Sequence, residues 1–360
     1  MVAAIALIPP AVSYVGVLTE ASNSSLGIRS VEWLREHGAA TIVAKVESVY
    51  YTLTAPSKGG PGLRAVPKVG YAVIAETAGE KARREVLEGL RPGRVHAVLH
   101  PALPNEGVWH ATRPELAGAP PVLVTTVRDQ PEYPRVVAGV AWIDTRRTRL
   151  TLNPGRLEPS VELPRGPMMV PLDSRRSLLA TFNSGFKLSD SKGGFAVHGH
   201  TYAPLRNGQA TIVGYTDGRV DVIDWRYGAV APPGVSFARQ NLPLIVDGGR
   251  AAPNLENDAE WGATVGNAVL VWRSAIGIDR HGNLIYVSGP DQSVGSLARV
   301  LLHAGAVRAM ELDINSYWTS FITYGAPGAL DPSNLLPNME RPDTRYLEPD
   351  DRDFFAVYAR

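Results

Sequence analysis

Apolar and polar positions alternate differently in three parts of the chain. Residues 2–19, VAAIALIPPAVSYVGVLT, carry no charged side chain before Glu20 and approach the length that crosses a hydrocarbon core. The run predicts a signal anchor or transmembrane segment over 1–19, although Pro9-Pro10 interrupts it and no basic residue precedes it. In the second part, residues 20–120, the pattern is mixed and predicts an N-terminal α/β extension. SSLGIRSVEWLREHG has Ser24 or Ser25 as a helix cap, Ile28, Val31 and Leu34 at helical spacing, and Gly38 as a stop. TIVAKVESVYYTLT from Thr41 is rich in β-branched and aromatic residues and predicts a strand. APSKGGPGLRAVP predicts a loop, EKARREVLEGLRPG a helix ending before Pro92, and RVHAVLH a further strand.

From about Val122 the texture turns to strands joined by tight turns. PVLVTTVRD, VVAGVAWIDTRRTRLTLNPG, QATIVGYTDGRVDVIDW and AIGIDRHGNLIYVSG all read this way, with hairpin-like turns at 215–218 and 279–282 where glycine takes positive φ. Ser293 caps a helix whose apolar face is Val294, Leu297, Val300, Leu301 and Ala304, stopped by Gly305. That helix leads into AMELDINSYWTSF, 309–321, a buried strand whose exit is crowded with polar groups. The expected fold class is therefore α/β (α+β), a mixed β-sheet with packed helices. Its main domain spans 121–325, and a tail over 326–360, rich in Pro, Asp and Arg, wraps it and ends in an FFAVY strand.

Composition narrows the functional classes. Lys+Arg total 36 against 35 Asp+Glu, a net charge of +1, so no field for nucleic acid is expected. The absence of cysteine removes disulfides, thiolate metal sites and a cysteine nucleophile. No H-E-x-x-H, Walker loop or dinucleotide fingerprint occurs. DQSVG lacks the first glycine of a nucleophile elbow, and Ser293 is better used as a helix cap. His198-Gly-His200 places two imidazoles together without a defined third ligand, which reads as a polar strand face or substrate contact rather than a metal site. No cofactor is expected, with a divalent ion left open.

What remains is a set of polar residues at strand ends: Asn183 and Lys187, Arg239 and Asn241, Asp247, Arg273, then Asp313 and Asn315. Singly each reads as a turn or a solvated end; together they predict one site. NSGF, the GGF at 193–195, DGRVDV, NLPLIVDGG, RSAIGID with its hairpin to LIYVSG, S-x-x-x-L-A-x-x-L-x-x-x-G-A and the final ELD form an ordered series. Over roughly 121–325 this series resembles the phosphodiester glycosidase domain. The resemblance implies an α/β fold with a mixed sheet and hydrolysis, outside the cytosol, of the bond between a sugar and a phosphodiester phosphate. The substrate would be a carbohydrate phosphodiester or envelope glycopolymer, met by a membrane-anchored or secreted protein. Where many members end the last strand in L-D-G-G-G-S, this chain has L-D-I-N-S, which keeps Asp313 and replaces glycine by Ile314 and Asn315.

On this reading Asp313 and Asp247 are the two carboxyl groups that glycoside cleavage uses. Arg273, with Arg239 or Lys187, clamps the phosphate. Asn183, Asn241 and Asn315 hold sugar hydroxyls, His198 is a further substrate contact, and Trp318 or Tyr317 stacks on the sugar. The alternatives are an envelope glycan-binding protein that does not cut and a hydrolase of ordinary glycosides.

Overall fold

The helix predicted at Ser24 or Ser25 begins at Ser25, whose hydroxyl accepts from the Ile28 N–H. The computed structural model describes residues 8–71, 91–113, 120–256, 260–262 and 270–360. In chain order its N-terminal part contains α1 (Ile8–Thr19), α2 (Leu26–Leu34) and α3 (Ala40–Thr54). Gly38 does act as a break, at φ +88°, but it kinks the chain between α2 and α3 instead of ending the helical run.

Here the expected strand from Thr41 is overturned. Its β-branched residues do not alternate; Ile42, Val46, Val49 and Leu53 recur at helical spacing, and that period decides over residue type. RVHAVLH is also not a strand: Val95 buries its side chain and its N–H donates to Gly107 O, but the segment enters no strand ladder. The helix expected over 80–93 lies largely outside the described residues. Of the expected anchor over 1–19, the described part is α1, 12 residues long. Among the described residues no helix is long and apolar enough to cross a membrane.

The remaining strands are β1 (His110–Ala111), β2 (Val122–Arg128), β3 (Val137–Ile143), β4 (Thr148–Asn153) and β5 (Leu178–Asn183), then the short helix α4 (Leu188–Ser191). There follow β6 (Phe195–Val197), β7 (His200–Ala203), β8 (Ala210–Tyr215), β9 (Val220–Asp224), β10 (Val235–Gln240), β11 (Leu244–Asp247) and β12 (Arg250–Ala251). β13 (Val271–Asp279) and β14 (Leu284–Gln292) precede α5 (Val294–His303) and β15 (Ala306–Glu311). β16 (Phe321–Ala326), β17 (Leu330–Asn334) and β18 (Phe354–Ala359) close the chain.

The strands form one sheet in the order β1-β2-β3-β14-β13-β15-β11-β12 and two smaller ones, β7-β6-β10-β8-β9 and β17-β16-β5-β18-β4. Every described strand pairing is antiparallel, where a mixed sheet was expected, and with a few packed helices the architecture is an α+β arrangement. The tail over 326–360 ends in β18, which pairs with both β5 and β4 and so lies inside its sheet.

Alternation along the large sheet supplies two cores. Val122, Val124, Ile143, Ile276 and Tyr286 face the two smaller sheets, while Leu123, Val140, Trp142, Ile285 and Val287 face α5. α5 presents Leu297, Val300 and Leu301 to that second face. Its start is fixed by a reciprocal cap: the Ser296 N–H donates to the Ser293 hydroxyl, and the Ser293 N–H to the Ser296 hydroxyl, each at 3.0 Å. Gly305, at φ +96°, turns the chain into β15.

Beside this cap Asp129 is fully buried, with one carboxyl oxygen 3.4 Å from the Gln292 amide and the other without a partner. Burial pushes its carboxyl up to about 7. A carboxyl raised in the folded state contributes stability below its unfolded value near ~4, and that contribution is lost as pH rises toward about 7. Asp129→Asn is therefore expected to match the parent near pH 4 and to exceed it by several kcal/mol at pH 8, measured as urea unfolding at both pH values.

Candidate active site

β15 delivers the loop 312–320 to the edge of the large sheet, where Ser274 straps it in place. The Ser274 N–H and hydroxyl donate to Asp313 O at 2.8 and 3.0 Å, and Leu312 N–H donates to Ser274 O at 2.8 Å. Behind Ser274 stands Asn183, whose amide donates to the Ser274 hydroxyl at 3.0 Å and to Ser184 O at 2.8 Å. Asn183 Oδ1 accepts from Tyr286 OH at 2.8 Å and Ser320 N–H at 3.0 Å. The polar ends of β5, β13 and β14 thus hold the backbone that carries Asp313.

The Asp313 side chain is buried and engaged at both oxygens. Oδ1 accepts from Asn315 N–H at 3.0 Å and Oδ2 from Arg352 Nη2 at 3.0 Å. Burial holds its carboxyl above the ordinary aspartate range, against the opposing charge of Arg352. Asn315 closes the turn, its side chain accepting from Tyr317 N–H at 2.9 Å.

Asp313, Asn315, Trp318, Lys187 and Arg352 line one cavity of about 350 Å³, with Ile314 and Phe186 on its wall. Its outer side comes from the N-terminal helices, through Glu32, Arg35, Glu47 and Tyr51. Glu32 pairs with Lys187 and lies within 3.2 Å of Arg35. Burial works to raise Glu32, but Lys187 together with Arg352 and Arg35 outweighs it and the carboxyl is held low. Glu47 is raised by burial despite its pairing with Arg35. Asp190 and Glu260 complete the carboxylates at the rim.

The segment 350–353 builds the inner side. Asp350 accepts from Arg345 at 2.8 and 3.0 Å and from Arg341 at 3.3 Å. Trp318 is packed among guanidinium groups, with Arg352 and Arg345 5.1 and 5.4 Å from its ring. Burial tends to raise the Asp350 carboxyl, yet Arg345 and Arg341 hold it below the ordinary range.

The residues singled out in the sequence divide into two groups. Asp313, Asn315, Trp318 and Lys187 converge on the cavity. Asn183, Asn241, Arg239 and Arg273 are buried in the framework around it. Asn241 donates to Glu311 O and Leu312 O at 2.8 and 2.9 Å, and accepts from Phe186 N–H. Arg239 is fixed by Asp353 at 2.8 Å and by two carbonyls. Arg273, expected before its strand as a phosphate clamp, is fully buried inside β13. It donates to Glu311 at 2.6 Å and to Gln292 O and Trp261 O.

Asp247 and His198 lie elsewhere, both exposed at turns. Among the described residues no group of three or more His, Asp or Glu side chains is arranged to hold a metal ion. Arg352 was missed, although DDRD directly before the apolar FFAVY run is the same strand-end signal that marked the others. Glu32 was missed because its helix reads as an ordinary solvated one.

No protein-family model and no curated protein matches this chain. It is similar to solved structures that include a hypothetical protein from Synechocystis, at 15% identity and TM-score 0.41, covering 67% of this chain and 62% of that one. Another is the zebrafish N-acetylglucosamine-1-phosphodiester alpha-N-acetylglucosaminidase catalytic domain auto-inhibited by its pro-peptide, at 17% identity and TM-score 0.41, covering 66% and 82%. A third is a putative exported protein from Burkholderia pseudomallei K96243, at 12% and TM-score 0.38, covering 64% and 75%. The chain spans less than two thirds of the Synechocystis protein, and all three likenesses are remote.

Removing one partner of a buried ion pair strands the other charge. Asp350→Ala, which leaves Arg345 and Arg341 buried, is expected to cost about 3–5 kcal/mol in urea unfolding at pH 7. Because the folded Asp350 carboxyl is held low, that loss is full above the unfolded value near ~4 and shrinks as pH falls through the folded one. Lys187→Ala, at the rim, is expected to cost far less.

Proposed function

We propose that this chain is a glycosidase-type hydrolase that cleaves the bond between a sugar and a phosphodiester phosphate, on a carbohydrate phosphodiester or envelope glycopolymer outside the cytosol. The observation that carries this reading is the meeting of one buried carboxyl, Asp313, with Arg352, Lys187 and Trp318 in a single cavity. The ordered motif series around them supports it, and the uncharged run at 2–19 supports placement at a membrane or beyond it.

The residues take their roles from their chemistry. Asp313, held rigidly by the Ser274 strap, faces the anomeric carbon as base or nucleophile. The leaving phosphate monoester has a second pKa near ~6, so it departs as an anion and needs little protonation. Stabilising that anion falls to Arg352 and Lys187, cations that line the cavity beside Asp313. Arg352 replaces Arg273 in this scheme, since Arg273 is spent on Glu311 and on carbonyls. Asn315 and Trp318 shape the sugar side. A phosphate reaching Lys187 displaces the Glu32 carboxylate from it.

A second reading, glycan binding without cleavage, is favoured by one feature: both oxygens of Asp313 are already hydrogen-bonded. Release of phosphate monoester from a panel of sugar phosphodiesters, read by a phosphatase-coupled assay, separates the two. Turnover is expected from the parent, with a fall of about 100-fold or more in kcat for Asp313→Asn and in kcat/KM for Arg352→Ala. Full turnover by Asp313→Asn removes it from the chemistry. Saturable glycan binding with no product after long incubation establishes the second reading instead. Glu32→Gln is expected to lower KM, because the competing carboxylate charge at Lys187 is gone.

A further inference from the structure

A second cavity of about 680 Å³ adjoins the first and shares with it Lys187, Trp318, Arg352, Glu32, Arg35 and Asp190. The charged groups around it are largely satisfied by the protein itself. Arg156 pairs with Glu20 and Asp351, Arg29 donates to Val17 O and Glu20 O, and Glu158 accepts from the Ser160 and Leu188 N–H groups. Among these groups the cavity carries an apolar patch: Val17 of α1, Ile28 and Trp33 of α2, and Leu157 of the body, 53% exposed. One cavity therefore holds Asp313, the other adds an apolar patch, and Arg352 and Lys187 stand at their junction.

The same helical unit is apolar on its outer side. Ile42, Val46, Val49 and Leu53 of α3 are between 58% and 80% exposed and form a stripe of ~16 Å along one face. On a water-soluble surface this face would be polar, and the charged Glu47 sits instead on the side that meets Arg35. An apolar chain held in a membrane accounts for both the lined cavity and the outward stripe.

We propose that the second cavity receives the leaving group of the substrate, and that this group carries an alkyl chain, so that the substrate is a lipid-linked sugar phosphodiester. The inference rests on the hydrolase reading above. The phosphate then sits at Arg352 and Lys187, with the sugar toward Asp313 and the chain against Ile28, Trp33 and Leu157. Cleavage breaks the bond between the anomeric carbon and the phosphate oxygen, and that oxygen keeps the electron pair. Water supplies the new hydroxyl on the sugar, its remaining proton passes to solvent, and the products are free sugar and an alkyl phosphate monoester.

The test uses the full chain and two series of probes, butyl and octyl phosphate for binding by calorimetry and methyl, butyl and octyl sugar-phosphate diesters for turnover. Octyl phosphate is expected to bind roughly tenfold or more tighter than butyl phosphate, and kcat/KM to rise along the diester series by a similar factor. Leu157→Asp is expected to collapse both ratios toward one, with Leu157→Ser as a milder variant at the same exposed position. Equal binding of both alkyl phosphates, or turnover independent of chain length, overturns the chain-binding cavity while leaving the hydrolase reading intact. Chain-length-dependent binding with no turnover of any diester keeps the cavity and overturns the hydrolase.

Discussion

The charges of four consecutive residues, Asp350 to Asp353, join parts of the chain that are otherwise far apart in sequence. Asp350 binds Arg345 and Arg341 under the 312–320 loop, and Asp351 takes hydrogen bonds from Ser22, Ser24 and Arg156. Arg352 reaches Asp313, and Asp353 takes Arg239 from β10. None of these four is more than 7% exposed. Such a set is expensive to desolvate and is stable only when nearly every member is paired, which makes it a poor source of stability and a strict test of geometry. The chain can satisfy it only if β18 is seated between β4 and β5, the N-terminal loop at 22–24 is docked, and the 312–320 loop is in register.

That requirement explains why so little of the site's chemistry comes from the regular elements themselves. Asn183, Ser274 and Arg273 within β5 and β13, and Asn241 just after β10, use their hydrogen-bonding groups on backbone, on Glu311 or on one another. They turn the open edge of the large sheet into a rigid floor. The groups that face the cavity, Asp313, Lys187, Arg352 and Trp318, come from loops set on that floor. Precision is supplied by a framework with its valences filled, and reactivity by the few groups left beside the space.

Much of this was legible in the sequence, and the failures have a common cause. The hairpins, the α5 cap and the burial of β15 follow from local periodicity and turn chemistry, and the structure has them where the pattern predicts. Polar residues at strand ends were equally visible, but whether Arg273 faces a ligand or Glu311 depends on a strand partner 38 residues away. A side chain's period tells its face, and here both faces of the sheet are buried. Arg352 escaped notice because the tail reads as a surface segment until its strand is placed inside a sheet. In α3 residue type and spacing point different ways: β-branched residues on a helix surface imitate a strand in composition while keeping a helical period.

The strand-like composition of α3 also has a physical meaning. A helix in a soluble body ordinarily turns its apolar side inward, and α3 has apolar residues on the side away from Glu47 and its partner Arg35. Of the β-branched side chains that make it look like a buried strand, Ile42, Val46 and Val49 are left exposed, while Val43 is buried. Such a face is stable in water only at a cost, since each exposed aliphatic side chain forgoes the ~1.5–3 kcal/mol it would gain on burial. Selection for a folded body alone gives no reason to keep four of them in line. Their place on the unit that also walls the cavity ties that cost to the site: the helices that supply Glu32 to Lys187 are the ones that turn carbon both outward and into the adjoining space.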